Sequence, residues 1–312
     1  MRYIRIVILG LFILTSASYI GLRYYNEQTI DRTAPVLQCS SDTLTVSVNS
    51  TEEQLLQGIT AEDDRDGDLT DEIVVENVGP FLSDGSREIS YAVCDRANNT
   101  GHVKRKIRYS DYEPPKFELT QPLRFESGQS VNITSYLTAT DLLDGNLTNH
   151  IRQTYGDSIT YYNSAGKYEI GCQVSNSGGD VSQINLIVEI FDEKDINYVP
   201  AVNMENYVIY LKKGEDFNPV EYADSVTIGS RSFDIGNRNK KPAANSRKVK
   251  GLFGDLTNRN AGDEITDTVD YDDIYVESNV DMSVPGSYTV QYTITTEDGY
   301  TGTTGLSVIV SE

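Results

Sequence analysis

Residues 59–73 read ITAEDDRDGDLTDEI, and seventy-eight positions later residues 137–151 read LTATDLLDGNLTNHI. The two copies agree at Thr60/Thr138, Ala61/Ala139, Asp63/Asp141, Asp66/Asp144, Gly67/Gly145, Leu69/Leu147, Thr70/Thr148 and Ile73/Ile151. A weaker third echo, DEITDTV, falls at residues 263–269 after a long interruption. A period of about eighty residues restricts the chain to a row of repeated modules.

The motif has a local physical reading. Thr-Ala leads out of an apolar segment, and Asp-Gly supplies a turn in which glycine is free to take a positive φ. Leu and Ile then re-enter the apolar pattern, and Thr and Asp side chains can bond the turn backbone. The acids Asp63, Asp64, Asp66 and Asp68 also raise a calcium reading. An EF-hand loop would begin at Glu62, but its twelfth position is Ile73, where a bidentate Glu belongs. The second copy places Thr140 and Leu142 where the first has Glu62 and Asp64. A structural turn is therefore the expectation at this stage, with no cofactor and with calcium as the alternative.

Outside the motif the hydrophobic period is two. Leu44, Val46 and Val48 alternate, as do Ile89, Tyr91 and Val93, followed by Val103 and Ile107. Tyr168, Ile170, Cys172 and Val174 repeat the pattern, then Ile184, Leu186, Val188 and Ile190. Tyr288, Val290, Tyr292 and Ile294 do so again, followed by Leu306, Val308 and Val310. Strict alternation marks strands buried on one face, and no helical stripe follows the N-terminal segment. Short strands repeating at this spacing predict an all-β chain of tandem Ig-like β-sandwiches. Asp31-Arg-Thr-Ala-Pro35, Asp111-Tyr-Glu-Pro-Pro115 and the stretch from Asp192 to Pro200 punctuate the chain, and prolines there favour stiff, extended linkers. The expected modules are 29–110, 111–191 and 192–312, the last with a basic insertion at about 228–262.

The N-terminal part, residues 1–28, is of another kind. Arg2 and Arg5 precede an apolar run at residues 6–22. As a cleaved signal peptide it would use residues 6–14 as the apolar core and the small residues at 15–18 for cleavage. As a signal anchor it would use the whole run, which just suffices to span a bilayer. The run continues past the cleavage region, and Tyr24 and Tyr25 suit an interfacial belt, so the anchor is the expectation. Either way the charge asymmetry puts the N-terminus inside and the modules outside, tethered to the cell membrane or secreted.

The succession of a Pro-marked start, T-A-x-D-x-x-D-G-x-L-T, G-x-Y-x-(I/V)-x-Y and a terminal strand resembles the bacterial Ig-like repeat named after a pesticidal crystal protein. Residues 128–141 and 214–224 carry the earlier part of the pattern, and 166–174 and 286–294 the later part. The third module departs from it where 226–262 interrupts the turn region. The resemblance implies a non-catalytic extracellular module, and it transfers no ligand and no site residues.

A formal net charge of −21 excludes the basic footprint of a nucleic-acid binder. The chain has two histidines, His102 and His150, and no Ser-His-Asp spacing, metal pair or phosphate loop, so no catalytic role can be assigned. Of its three cysteines, Cys172 falls in an inward series, equivalent to Tyr91 and Tyr292, while Cys39 and Cys94 leave a disulfide open. Three functions stay in view: an adhesive or spacing surface protein, a carbohydrate-binding accessory module using Tyr155, Tyr161 and Tyr162, and an enzyme hidden in the insertion. The insertion inverts the local charge with Arg238, Lys240, Lys241, Arg247, Lys248 and Lys250. That makes it a candidate docking loop for an anionic cell-wall polymer or an acidic surface protein.

Overall fold

The computed structural model describes residues 2–129, 133–155, 164–236, 248–249 and 268–312. Their contacts divide the chain into two compact units, Met1–Tyr112 and Glu113–Glu312.

The first unit begins with a helix, Arg2–Thr29, whose apolar side chains are exposed. Its Arg2–Tyr25 portion, 24 residues containing an 18-residue stretch of mean hydropathy 1.9, is long and apolar enough to cross a membrane or to serve as a signal sequence. An Ig-like sandwich of two sheets follows. One sheet joins Val36–Cys39, Ile59–Asp63 and Gly67–Asp68. The other runs in the order Thr43–Val46, Thr100–Tyr109, Arg87–Cys94, Val74–Phe81. The alternating residues meet between them: Leu37, Ile59, Ala61, Leu69 and Ile73 pack against Ile89, Tyr91, Val93 and Ile107. Burying these side chains is the main source of stability in so small a core.

One inward place is taken by a charge. Arg105 is buried between Val103 and Ile107 and donates to the carbonyls of Gln57 at 2.8 Å and Leu55 at 2.6 Å. Its Nε donates to Tyr91 Oη at 2.9 Å, and that hydroxyl donates to Leu55 O at 2.7 Å. The one-turn helix Glu52–Leu55, opened by a capping box between Thr51 and Gln54, thus has its terminal carbonyls satisfied by a cation.

The second unit contains two further pairs of sheets, whose buried apolar residues form one continuous cluster. The first pair sets Gly145–Asn146, Leu137–Asp141 and Lys116–Leu119 against Arg152–Tyr155, Gly166–Ser175, Val181–Phe191 and Arg124–Glu126. The second sets Ala201–Asn203, Ser225–Ile228, Arg231–Gly236 and Thr268–Asp270 against a sheet built on Val208–Lys212, Thr301–Ser311 and Gly286–Thr296. In every sandwich an early strand runs parallel to the last: Thr43 to Val46 beside Lys106 to Tyr109, Arg124 to Glu126 beside Glu189 to Phe191, and Val208 to Lys212 beside Ser307 to Ser311.

The segment from Asp192 to Pro200 connects the two sheet pairs of this unit without separating them. Ile187 and Glu189 stand on the outward side of their strand, yet both are buried. Ile187 lies against Gly305, where an added Cβ would come within 2.5 Å of it. Asn185 N donates to Ser287 Oγ at 2.9 Å, and Ser307 Oγ donates to Asn185 O at 2.5 Å. Glu189 pairs with Arg124 and accepts from Thr303 N at 2.5 Å, while Arg124 also donates to Pro200 O at 3.0 Å. Burial pushes the Glu189 carboxyl upward, against the opposing pull of Arg124.

Two glycines let the module starts lie flat on the last strand. A Cβ at Gly101 would stand 2.0 Å from Pro35 O, and one at Gly302 would stand 1.7 Å from Pro200 O. Because the obstacle is backbone, Gly302→Ala is expected to destabilise the second unit by about 1–3 kcal/mol, the usual range for overpacking. Urea unfolding of the variant checks this, and an unchanged midpoint would contradict the close approach.

Candidate functional site

The repeated motif folds into the same object twice. Gly67 and Gly145 take φ of 77° and 73° at the turn. Thr70 Oγ1 accepts from Ala61 N and Thr148 Oγ1 from Ala139 N, both at 3.2 Å. Asp68 and Asn146 each accept from the amide two residues on, both at 2.9 Å. Asp63 Oδ1 accepts from Arg65 N at 3.0 Å and Asp66 N at 2.9 Å, and Asp141 Oδ1 from Asp144 N at 2.7 Å. The Asp of Asp-Gly reaches farther. Asp66 Oδ2 accepts from Arg96 N at 2.8 Å, and Asp144 Oδ2 from Ser177 N at 2.5 Å. Each matched acid therefore has a backbone partner, as a structural turn requires.

One atom of the first copy is left over. Asp63 is 6% exposed, and its Oδ2 is buried without a hydrogen-bond partner. Among the described residues only Tyr271 Oη shares that condition. Facing Asp63 are Asp31, from the segment between the helix and the first strand, and Asp95, at the hairpin turn after Arg87–Cys94. One carboxylate oxygen from each of the three lies within 4.8 Å of the others. Each acid also has partners of its own. Asp31 Oδ1 accepts from Thr33 N at 3.0 Å, and Arg65 Nε stands 3.6 Å from its Oδ2. Asp95 accepts from Asn99 N and Asn99 Nδ2, both at 2.7 Å. Backbone N–H groups of Asp66 and Arg65 hold the Asp63 carboxyl below its usual range, so it is ionised at neutral pH. An all-oxygen, anionic corner of this sort suits a hard cation.

The other two sandwiches carry the same corner with other residues. Their hairpins close alike, with Asp95 N, Asn176 N and Thr296 N donating to Asn99 O, Asp180 O and Tyr300 O at 3.1, 3.1 and 2.9 Å. In the second, Asn176 Nδ2 donates to Asp141 Oδ2 at 2.8 Å, supplying the donor that Asp63 lacks. The Asp111 carboxylate, from the matching start segment, is taken by Ser47 Oγ at 2.6 Å and Val48 N at 2.9 Å. In the third, the strand register puts Ile228 where Asp63 stands, and Thr296 replaces Asp95.

Of the acids singled out in the sequence, Asp63 alone joins this cluster; Asp64 is exposed, and Asp66 and Asp68 serve the turn. Asp31 reads from sequence only as linker punctuation, and nothing in the sequence pattern singles out Asp95, because the two lie in different segments. Arg238, Lys240, Lys241, Arg247 and Lys250 lie outside the described residues, and only the backbone of Lys248 is described, in a short strand beside Thr295. Tyr161 and Tyr162 are likewise outside. Cys39, Cys94 and Cys172 are free thiols, with Cys172 buried in the inward series as expected, and burial pushes its pKa up to about 11. His102 faces Glu76 at 3.3 Å on the exposed surface, and His150 ends an exposed turn matching Thr70–Glu72.

No family model matches this chain, and no curated protein matches it. Solved structures give distant likenesses. A Clostridium perfringens ZmpB structure, with CBM51-2 in complex with GlcNAc and INT domains, is 12% identical, covering 50% of this chain and 41% of its own, with a TM-score of 0.19. Mouse Cadherin-23 EC22-24 is 12% identical over 90% of this chain and 99% of its own, with a TM-score of 0.20. Drosophila N-cadherin EC1-4 is 11% identical over 86% and 74%, with a TM-score of 0.21. This chain thus spans about two fifths of the Clostridium structure. Likenesses of this size carry no argument about ligand or mechanism.

Acid should act on the motif with a definite sign. Asp63 and Asp68 are held below the ordinary range by hydrogen bonds, Asp63 by the Asp66 and Arg65 amides and Asp68 by the Thr70 side chain and amide. Their contribution is then present above the unfolded pKa and lost as pH falls through about 4 toward the folded values. The melting temperature of the first unit is expected to drop over that window, and to drop less in Asp68→Asn, which copies Asn146. Calorimetry between about pH 3 and 6 tests both.

Proposed function

We propose that the chain is a non-catalytic bacterial surface protein: three Ig-like repeats of the pesticidal-crystal-protein type, at 29–110, 111–191 and 192–312, held at the cell membrane by residues 6–22. The observation that carries the reading is the exposed apolar helix Arg2–Tyr25, which leads within a few residues into a sandwich whose interior is filled by its own side chains. Such modules offer spacing and surface rather than a reaction chamber. Adhesion, or contact with a cell-wall polymer or another surface protein, is the role that fits a tethered series of them.

In this reading the mature protein keeps its first residues and fractionates with membranes, while protease added to intact cells removes the modules. N-terminal sequencing that starts at Ser18 or Tyr19 would instead make it a released protein. The insertion at 228–262 is assigned to an anionic partner through Arg238, Lys240, Lys241, Arg247, Lys248 and Lys250. Binding of the full-length protein to anionic wall polymer is then expected to weaken steeply with salt, and to vanish when Lys240, Lys241, Arg247, Lys248 and Lys250 become Ser. Equal binding after that change would remove the insertion from the interface.

A further inference from the structure

We propose that Asp31, Asp63 and Asp95 bind one calcium ion, which locks the segment leaving the membrane helix onto the first sandwich. The inference stands on the geometry of this corner and does not depend on how the chain is anchored.

The arrangement is more than a cluster of acids, because one of the carboxylate oxygens is buried and unpaired. The donors given to the three carboxylates are the Thr33 amide and the Arg65 guanidinium on Asp31, the Arg65 and Asp66 amides on Asp63, and the Asn99 amide and side chain on Asp95. None of them reaches Asp63 Oδ2, although that atom is buried. A buried carboxylate oxygen without a partner is costly, and three like charges this close repel. A divalent cation bonded to one oxygen from each acid removes both penalties at once. The donors are all hard oxygens, with neither imidazole nor thiolate among them, which selects calcium over zinc. The three protein ligands leave the remaining positions to water, as an open extracellular-type site does.

The second sandwich is an internal control. There the residue matching Asp95 is Asn176, and its amide donates to Asp141 Oδ2, the atom matching the bare one. A neutral donor does in that module what an ion would do in the first. The third has Thr296 and Ile228 at these places, and nothing there calls for a cation. The ion's position gives it a use. Asp63 ends a strand, Asp95 sits in the hairpin turn, and Asp31 lies two residues beyond Thr29, the last residue of the helix. One ion therefore ties three segments far apart in sequence, one of them the stalk.

Full-length protein in detergent micelles, stripped with a chelator, is titrated with calcium chloride in a calorimeter. In parallel, trypsin cleavage after the exposed Arg32 of the stalk is followed by mass spectrometry. The expected result is one calcium per chain with a dissociation constant on the order of 10⁻⁴–10⁻³ M, the range of extracellular sites. At ten times that concentration, cleavage after Arg32 should slow about tenfold, because only the closed stalk binds the ion. Asp95→Asn, which imports the arrangement of the second sandwich, should stay folded and lose both effects, as should Asp31→Asn. Asp141→Asn should keep them. No binding by about 10 mM would overturn the proposal. So would a response in Asp31→Asn and Asp95→Asn equal to that of the unchanged protein, which would mean general screening of an acidic chain.

Discussion

A carboxylate that crosses from one sheet to the other holds each of the first two sandwiches in register. Asp66 and Asp144 sit in a tight turn on the edge of the smaller sheet and accept the amide of a hairpin belonging to the larger one, at Arg96 and Ser177. Apolar packing alone is non-directional and would tolerate sliding of the two sheets. A charge-assisted hydrogen bond to a backbone amide does not tolerate it, because that amide has one direction. The rest of the motif serves this contact. Gly67 and Gly145 bend the chain toward the hairpin, Thr70 and Thr148 fasten the turn to its own strand, and Leu69 and Leu147 drive it down into the core.

Much of this was legible in the sequence for a simple reason: a strand with one face in the core writes its geometry in alternate residues. Ile89, Tyr91 and Val93, or Val290, Tyr292 and Ile294, are buried in the order in which they were read. The Asp-Gly turns were legible too, since only a positive φ explains that pair recurring between apolar stretches. Illegible were the positions whose surroundings come from elsewhere in the chain. Ile187 and Glu189 belong to the solvent series of their strand and are buried because Gly305 and Thr303 cover them. Arg105 breaks an apolar series, and only the position of Leu55 and Gln57 shows why it can. The acidic corner is the clearest case. Asp31, Asp63 and Asp95 belong to a linker, a strand end and a hairpin, and no spacing rule joins them.

That corner also shows how a repeated module diverges without changing its fold. One position at the end of the long central strand carries Asp95, Asn176 and Thr296 in turn, and all three close the same hairpin with the same backbone bond. What differs is the side chain's message to its neighbour: a charge, an amide donor, or a short hydroxyl that bonds Tyr300 N at 3.1 Å. The scaffold's demands are met by the main chain, which leaves the side chain free to vary.

The parallel pairing of an early strand with the last strand bears on how these modules carry load. Tension on the two ends of a module pulls such a pair in opposite directions along its length. Thr43 to Val46 against Lys106 to Tyr109, and Val208 to Lys212 against Ser307 to Ser311, then meet the force in shear, with all their rungs strained together. An antiparallel hairpin pulled from its open end would peel one rung at a time. Stretching such modules would therefore strain these pairs as a whole, a mechanical character set by strand direction rather than by thermodynamic stability.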